Sequence, residues 1–303
     1  MYRVKLLQDP AGHKWPLKRQ SFQGDGKARN YHFDDSHVDY DILLSFGELP
    51  VADEVAKCGV SRERRFCILM ENPRFYEINQ AYLGLHKFVI SPFDIPLPDG
   101  VELIQTHPAV PWFYDINFDT NSGLTHAIVD HDKTKNLEYY CEEKSKEKTK
   151  LVSMVTSTKG ISEGHKLRVA IAGHLKNILK DEIDLYGFGH RPIANKRFAI
   201  EDYKYSIVVE NDLSDYFMTE KICDVILGGA TPIYIGANKI NEFYSSDIYS
   251  IDPHGSDMES ILKAIFYYFN NDQSATTKRA QKFETLFQQN FYYHMANIFD
   301  DRL

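Results

Sequence analysis

The chain is poor in cysteine and carries no excess of positive charge. Its four cysteines, Cys58, Cys67, Cys141 and Cys223, share no CxxC spacing. Neither a zinc knuckle nor a disulfide framework is therefore expected. Cys67 and Cys223 sit in apolar runs and read as small core residues of a protein from a reducing compartment. Lysine and arginine number 35 against 43 aspartate and glutamate, a formal net charge of −8. That balance argues against sequence-independent nucleic-acid binding, which needs a basic footprint. The local cluster Arg62, Arg64 and Arg65 reads mainly as a solvated rim. No run approaches the ~18 consecutive apolar residues of a membrane span. The opening MYRVKLLQDP lacks the long apolar stretch of a signal peptide.

What is present suffices for a sizeable core. The chain has 303 residues, 43% of them apolar, with 19 tyrosines and 19 phenylalanines. Its length suits two domains. In the first half, short apolar runs at 39–47, 66–73, 87–92 and 101–108 alternate with polar turns, with room for short helices at 51–58 and 74–84. Such runs suit a parallel sheet covered on both faces. The charge run CEEKSKEKTK at 141–150 marks the boundary. Strand-like runs then recur at 151–157, 183–189, 206–211, 231–236 and 247–252, with helical patterns at 163–180, 219–229, 257–270 and 276–299. Strand–helix alternation with short links implies right-handed βαβ units. An α/β chain of two Rossmann-like domains facing across a cleft is expected: 1–148, then 149–275, with a terminal helix over 276–303 returning toward the first.

Ligands of such sheets bind beyond the carboxyl ends of strands. The polar elbows there are Glu71 and Asn72, Ser157 and Thr158, Gly187 to Gly189 after Tyr186, and Glu210 and Asn211. The densest polar cluster follows the run at 206–211: Glu210, Asn211, Tyr216, Thr219, Glu220 and Lys221. A helix starting near Thr219 would offer free N–H groups to an anion, with Lys221 beside it. An ordinary capped helix with Glu220 and Lys221 in solvent is the plain alternative. Two sets of possible metal ligands compete. Asp130, His131 and Asp132 form a DxD, and His32 to His37 with Asp34 and Asp35 form a polar loop; both patterns are short and common by chance.

The segment VVENDLSDYFMTEKICDVILGGATPIYIGA resembles the donor-binding signature of glycosyltransferase family 10, the α1,3/4-fucosyltransferases: Glu-Asn, a short loop, Tyr-x-Thr-Glu-Lys, a helix, then Pro-x-x-x-Gly. The resemblance is close over about 30 residues and weaker over roughly 60–290. It implies a GT-B layout and an inverting transfer of L-fucose from GDP-fucose to a glycan hydroxyl, of N-acetylglucosamine or glucose type, in bacterial surface polysaccharide or lipopolysaccharide. It implies that Glu220 holds the ribose, Lys221 contacts the diphosphate, and Glu210 and Asn211 shape the sugar side. The family tyrosine usually stands two places before the threonine, where Phe217 stands here and Tyr216 one place earlier, so Phe217 would stack on guanine without a hydroxyl. In STKGISEGHKLRVAIAGHL the resemblance assigns Arg168 to the diphosphate, with Lys166 as the fallback; Ser157, Tyr186 and Gly187 would complete the donor side. In ILMENP, Glu71 would be the general base, with Glu77 as competitor. In PWFY, Trp112 and Tyr114 would stack on the acceptor, with Asn72 nearby. No metal cofactor is implied.

The expected partners are GDP-fucose, an oligosaccharide or glycolipid acceptor, and a second copy in a homodimer. The location implied is cytoplasmic or peripheral to the inner membrane, although the end MANIFDDRL is not basic and suits firm membrane binding poorly. Another nucleotide sugar as donor, or a glycan- or nucleotide-binding module without turnover, are the competing readings.

Overall fold

A computed structural model describes all residues except 8–16, 48–51, 74–76, 120–125, 129–133, 143–145, 245–247 and 272–278. The first sheet holds β1 (Tyr2–Leu7), β2 (Lys27–Ala28), β3 (Tyr31–Asp34), β4 (Ile42–Phe46), β5 (Arg65–Ile68), β6 (Phe88–Ser91) and β7 (Glu102–Gln105), with α1 (Ala52–Lys57) and α2 (Gln80–Leu83) between strands. Their order is β2-β3-β1-β4-β5-β6-β7, and every pair is parallel except β2 with β3. β4 and β6 are buried at every position, which is why apolar runs mark them in the sequence. The runs at 39–47, 66–73, 87–92 and 101–108 all contain strands. β1 to β3 go unmarked because YRVKLL alternates in polarity and its first two residues are exposed.

A two-stranded ribbon, β8 (Asn117–Asp119) with β9 (His126–Ile128), and α3 (Leu137–Glu142) lead to the second sheet. That sheet holds β10 (Lys150–Val155), β11 (Ile183–Tyr186), β12 (Tyr203–Val209), β13 (Thr231–Ile235) and β14 (Tyr249–Ile251), all parallel, in the order β11-β10-β12-β13-β14. α4 (Glu163–Leu179) crosses from β10 to β11, α5 (Glu220–Leu227) from β12 to β13, and α6 (Ile240–Phe243) and α7 (Met258–Asn270) follow. The chain steps outward in opposite directions from β10, to β11 and then to β12. The gap at the carboxyl ends of β10 and β12 is therefore a topological switch point, where doubly wound sheets hold ligands.

The helix expected over 276–299 is two helices, α8 (Arg279–Gln289) and α9 (Phe291–Arg302). Asn290 breaks it: its side chain accepts from the Tyr293 N–H and so starts a new helix. α9 lies on the first sheet, where Phe291 stacks on Phe46 with ring centroids 5.5 Å apart and Phe299 meets Phe66 at 4.6 Å. Two buried imidazoles, His107 after β7 and His294 on α9, stack at 3.8 Å, and His107 meets Phe243 of α6 edge-on at 4.7 Å. Burial pushes the His107 imidazole down to about 4, so the stacked pair is held uncharged. Among the described residues no helix is long and apolar enough to cross a membrane.

Phe299 is fully buried and touches Tyr31, Phe33 and Phe66. Phe299→Ala should cost about 3–5 kcal/mol of stability, measured by urea denaturation. A loss under about 1 kcal/mol would mean that α9 contributes little to the first sheet.

Candidate active site

The switch point of the second sheet opens into a cavity of about 210 Å³ lined by Thr156, Ser157, Arg168, Lys196, Glu220 and Lys221 among others. That volume is below the ~300 Å³ of ordinary ligand pockets, so it receives part of a ligand whose remainder lies in the open cleft. Two glycines let the walls close up. A Cβ on Gly164 would come within 2.5 Å of the Glu210 and Asn211 carbonyl oxygens, so only glycine lets the start of α4 rest on that elbow. Gly187, at φ +111°, would place a Cβ 2.1 Å from the Thr156 carbonyl oxygen.

Arg168 projects from α4 and is 5% exposed. Its guanidinium donates to Asn211 Oδ1 at 2.6 Å and to Ser157 Oγ at 2.8 Å, and its buried Nε–H has no partner among the described residues. Burial lowers its pKa from the ordinary value, with the Glu210 carboxylate opposing that effect. Three residues expected on the donor side, Arg168, Ser157 and Asn211, thus form one bonded unit.

Glu210 corrects one expectation. It is fully buried and accepts from the Thr219 backbone N–H at 2.9 Å, from the Thr219 hydroxyl at 2.9 and 3.0 Å, and from the Lys221 ammonium at 2.8 Å. The anion at the start of α5 is therefore this carboxylate, and the Thr219 N–H is not available to a ligand. Glu210 works through Lys221 and Thr219 and offers no surface of its own.

Glu220 and Asp224 lie one turn apart on α5 and share the ammonium of Lys196, at 3.0 Å and 2.5 Å. Burial alone would raise the Glu220 carboxyl, but Lys196 and Lys221 outweigh it and hold it at about 2. For Asp224 burial dominates and the direction is upward, with Lys196 opposing. Sequence reading passed over Lys196 and Asp224. The signal was there: Asp224 is an acid inside the apolar run ICDVIL, and a buried acid needs a cation.

Glu71 faces this group from the first sheet, just beyond β5. It is exposed at the cleft surface yet walled by protein, and partial desolvation raises its pKa, countered by Lys221 and reinforced by Glu220. Lys221 and Glu220 of the cavity are thus its charged neighbours. Asn72, expected on the acceptor side, is 4% exposed and donates to Asp212 Oδ2 at 2.5 Å, joining the two halves.

Four aromatic assignments fail on burial. Trp112 and Tyr114 are each 1% exposed in the core of the second half. The backbone N–H of Tyr114 donates to Asp224 and its hydroxyl to Glu201, so neither ring has a face for a sugar. Tyr186 is turned into the same core with its hydroxyl 2.6 Å from that of Tyr203. Phe217 packs on Phe93 of the first half, centroids 5.4 Å apart, and is not presented to a base. Tyr216 is half-buried with its ring edge-on to Phe243 at 6.3 Å. The polar loop near His32 is the end of β3, where Asp34 pairs with Lys18 at 2.7 Å. Among the described residues no cluster of three or more His, Cys, Asp or Glu could hold a metal ion; Asp130, His131 and Asp132 lie outside the described residues.

Two α/β sheets, parallel apart from the β2–β3 pair, form the GT-B fold of glycosyltransferases. A crystal structure of an alpha1,3-fucosyltransferase with GDP shares that fold, at 14% identity and a TM-score of 0.50 over 96% of this chain and 92% of that one. Residues 145–274 match the family model of the C-terminal domain of glycosyltransferase family 10 (fucosyltransferase), the family that the signature at 205–236 resembles. A putative fucosyltransferase-like protein of Arabidopsis thaliana is 29% identical over 107 residues, which are 34% of this chain and 21% of that protein. The match spans about a fifth of that curated relative's length.

Glu210→Ala removes the partner of Lys221 and the acceptor for Thr219. We expect a loss of about 3–5 kcal/mol in urea denaturation, with Glu210→Gln intermediate. An alanine variant within about 0.5 kcal/mol of the parent would show that the start of α5 does not depend on this carboxylate.

Proposed function

We propose that the chain is an inverting fucosyltransferase that moves L-fucose from GDP-fucose to a hydroxyl of a glycan or glycolipid. The acceptor would be of N-acetylglucosamine or glucose type, joined α-1,3 in a bacterial surface polysaccharide or lipopolysaccharide. One observation carries the reading. Arg168 and Lys221 converge on a single cavity within the segment that matches the family 10 domain, with Glu71 facing them.

In this reading Arg168 and Lys221 hold the diphosphate and Glu220 accepts from the ribose hydroxyls. Asn211 and Ser157 orient Arg168, and Glu210 orients Lys221. Gly187 shapes the wall through its backbone. The acceptor oxygen attacks the anomeric carbon as the bond from that carbon to the β-phosphate oxygen breaks. The hydroxyl proton passes to the Glu71 carboxylate, and GDP leaves with the bonding electron pair. One displacement inverts the configuration. The two fixed cations meet the charge that develops on the departing diphosphate, so the scheme calls on no divalent metal.

A raised carboxyl is a stronger base but must be ionised to act. The rate should fall as the pH drops through the Glu71 pKa, above the usual 4.5. Glu71→Gln should lose about 10²–10⁴-fold in transfer and with it that acid limb. Near-full rate in Glu71→Gln, measured with GDP-fucose and a mixed acceptor array, would remove Glu71 as base. In a thermal-shift comparison GDP should raise the melting temperature and UDP should not. Equal shifts would overturn the guanine assignment.

A further inference from the structure

Lys196 is a largely enclosed cation of the same cavity and has no role in the scheme above. It sits in the short turn Lys196–Ala199 between β11 and β12. Its side chain is 13% exposed and its ammonium lies between Glu220 Oε1 and Asp224 Oδ2. The Phe113 ring stands 5.6 Å from the ammonium. Asp224 is 1% exposed and its second oxygen accepts both the Phe113 and Tyr114 backbone N–H groups, at 2.9 and 2.8 Å. Every group around Lys196 is thereby fixed: Asp224 by two backbone donors, Lys196 by Asp224, and Glu220 Oε1 by Lys196.

The arrangement solves a specific difficulty. Two carboxylates one helical turn apart on a buried face repel each other, and without a cation between them they would share a proton. Glu220 would then be a half-protonated group free to turn. With Lys196 in place it is an ionised acceptor whose Oε1 is held in one position. An ionised carboxylate set in this way suits two adjacent hydroxyls, since each hydrogen bond to a charged acceptor is stronger than one to a neutral group.

We propose that Lys196 is a positioning residue that fixes Glu220 as the acceptor of the nucleotide's vicinal ribose diol, and so sets the preference for a ribonucleotide. The inference rests on the GDP-sugar reading of the site.

The test is calorimetric titration of the full chain with GDP and with 2′,3′-dideoxy-GDP, with folding of each variant checked by circular dichroism. The parent should bind GDP about tenfold or more tighter than the dideoxy analogue. Lys196→Met should lose that preference while its affinity for the dideoxy analogue stays within about twofold of the parent, and Lys196→Arg should keep most of it. Should Lys196→Met not fold, Lys196→Gln is read the same way. A merely structural ion pair would weaken both ligands together or neither, and either result overturns the proposal. A parent that binds no GDP overturns the donor reading and this inference with it. A parent that binds both nucleotides alike leaves the donor reading standing and overturns only the inference.

Discussion

A carboxylate with no exposure to water, Glu210, is the constraint on which the site depends. A buried charge is tolerated only when paired and hydrogen-bonded. Here the pairing draws in the Thr219 N–H, its hydroxyl and the Lys221 ammonium. That fixes where α5 begins, and so which side chains of its first two turns face the cavity. Glu220 and Asp224 follow from that register, and Lys196 from them. The site is a chain of alternating charges in which each member holds the next, anchored at one end by a strand and at the other by the backbone of Phe113 and Tyr114.

The same elbows join the two halves of the molecule. Asn72 follows Glu71 and bonds Asp212, which follows Asn211. Phe217, in the loop that leads to Thr219, packs on Phe93 of the first half. The residues that frame the cavity are thus covalent neighbours of those that hold the halves together. A change in the seam is transmitted over one or two peptide bonds to Glu71, Arg168 through Asn211, and the start of α5.

Much of this could be read from the sequence, for identifiable reasons. Strands buried on both faces announce themselves as apolar runs, and β4, β6, β12 and β13 do so. β1 alternates, and β2 is two residues long, so neither stands out. Polar residues after strands marked Ser157 and Asn211, the polar cluster marked Lys221, and the family resemblance marked Arg168; Ser157 and Asn211 bond Arg168, and Ser157, Arg168 and Lys221 line one cavity. Aromatic residues misled, because the chemistry that suits Trp112, Tyr114 or Tyr186 to a sugar suits them equally to a core. What placed them inside is long-range: Asp224 takes the Tyr114 N–H, and Tyr203 takes the Tyr186 hydroxyl. Lys196 escaped because its partners stand 24 and 28 residues away, a separation that only the fold closes.

The placement of α9 sets an order of events during synthesis. The strands it covers are made before the second sheet and their cover only after it. Until residues 291–302 arrive, the face formed by Phe33, Phe46 and Phe66 has no partner from α9. The second sheet owes less: the buried core of Val152, Ile171, Ile207 and Ile233 on one face ends at Ile265, and the other face takes Phe283 and Leu286 of α8. One face of the later sheet can therefore close while the earlier half waits with an aromatic surface exposed, the condition in which chains recruit chaperones or aggregate. Changes that spare every residue of the cavity but remove the last turn of α9 would thus act on yield before they act on chemistry.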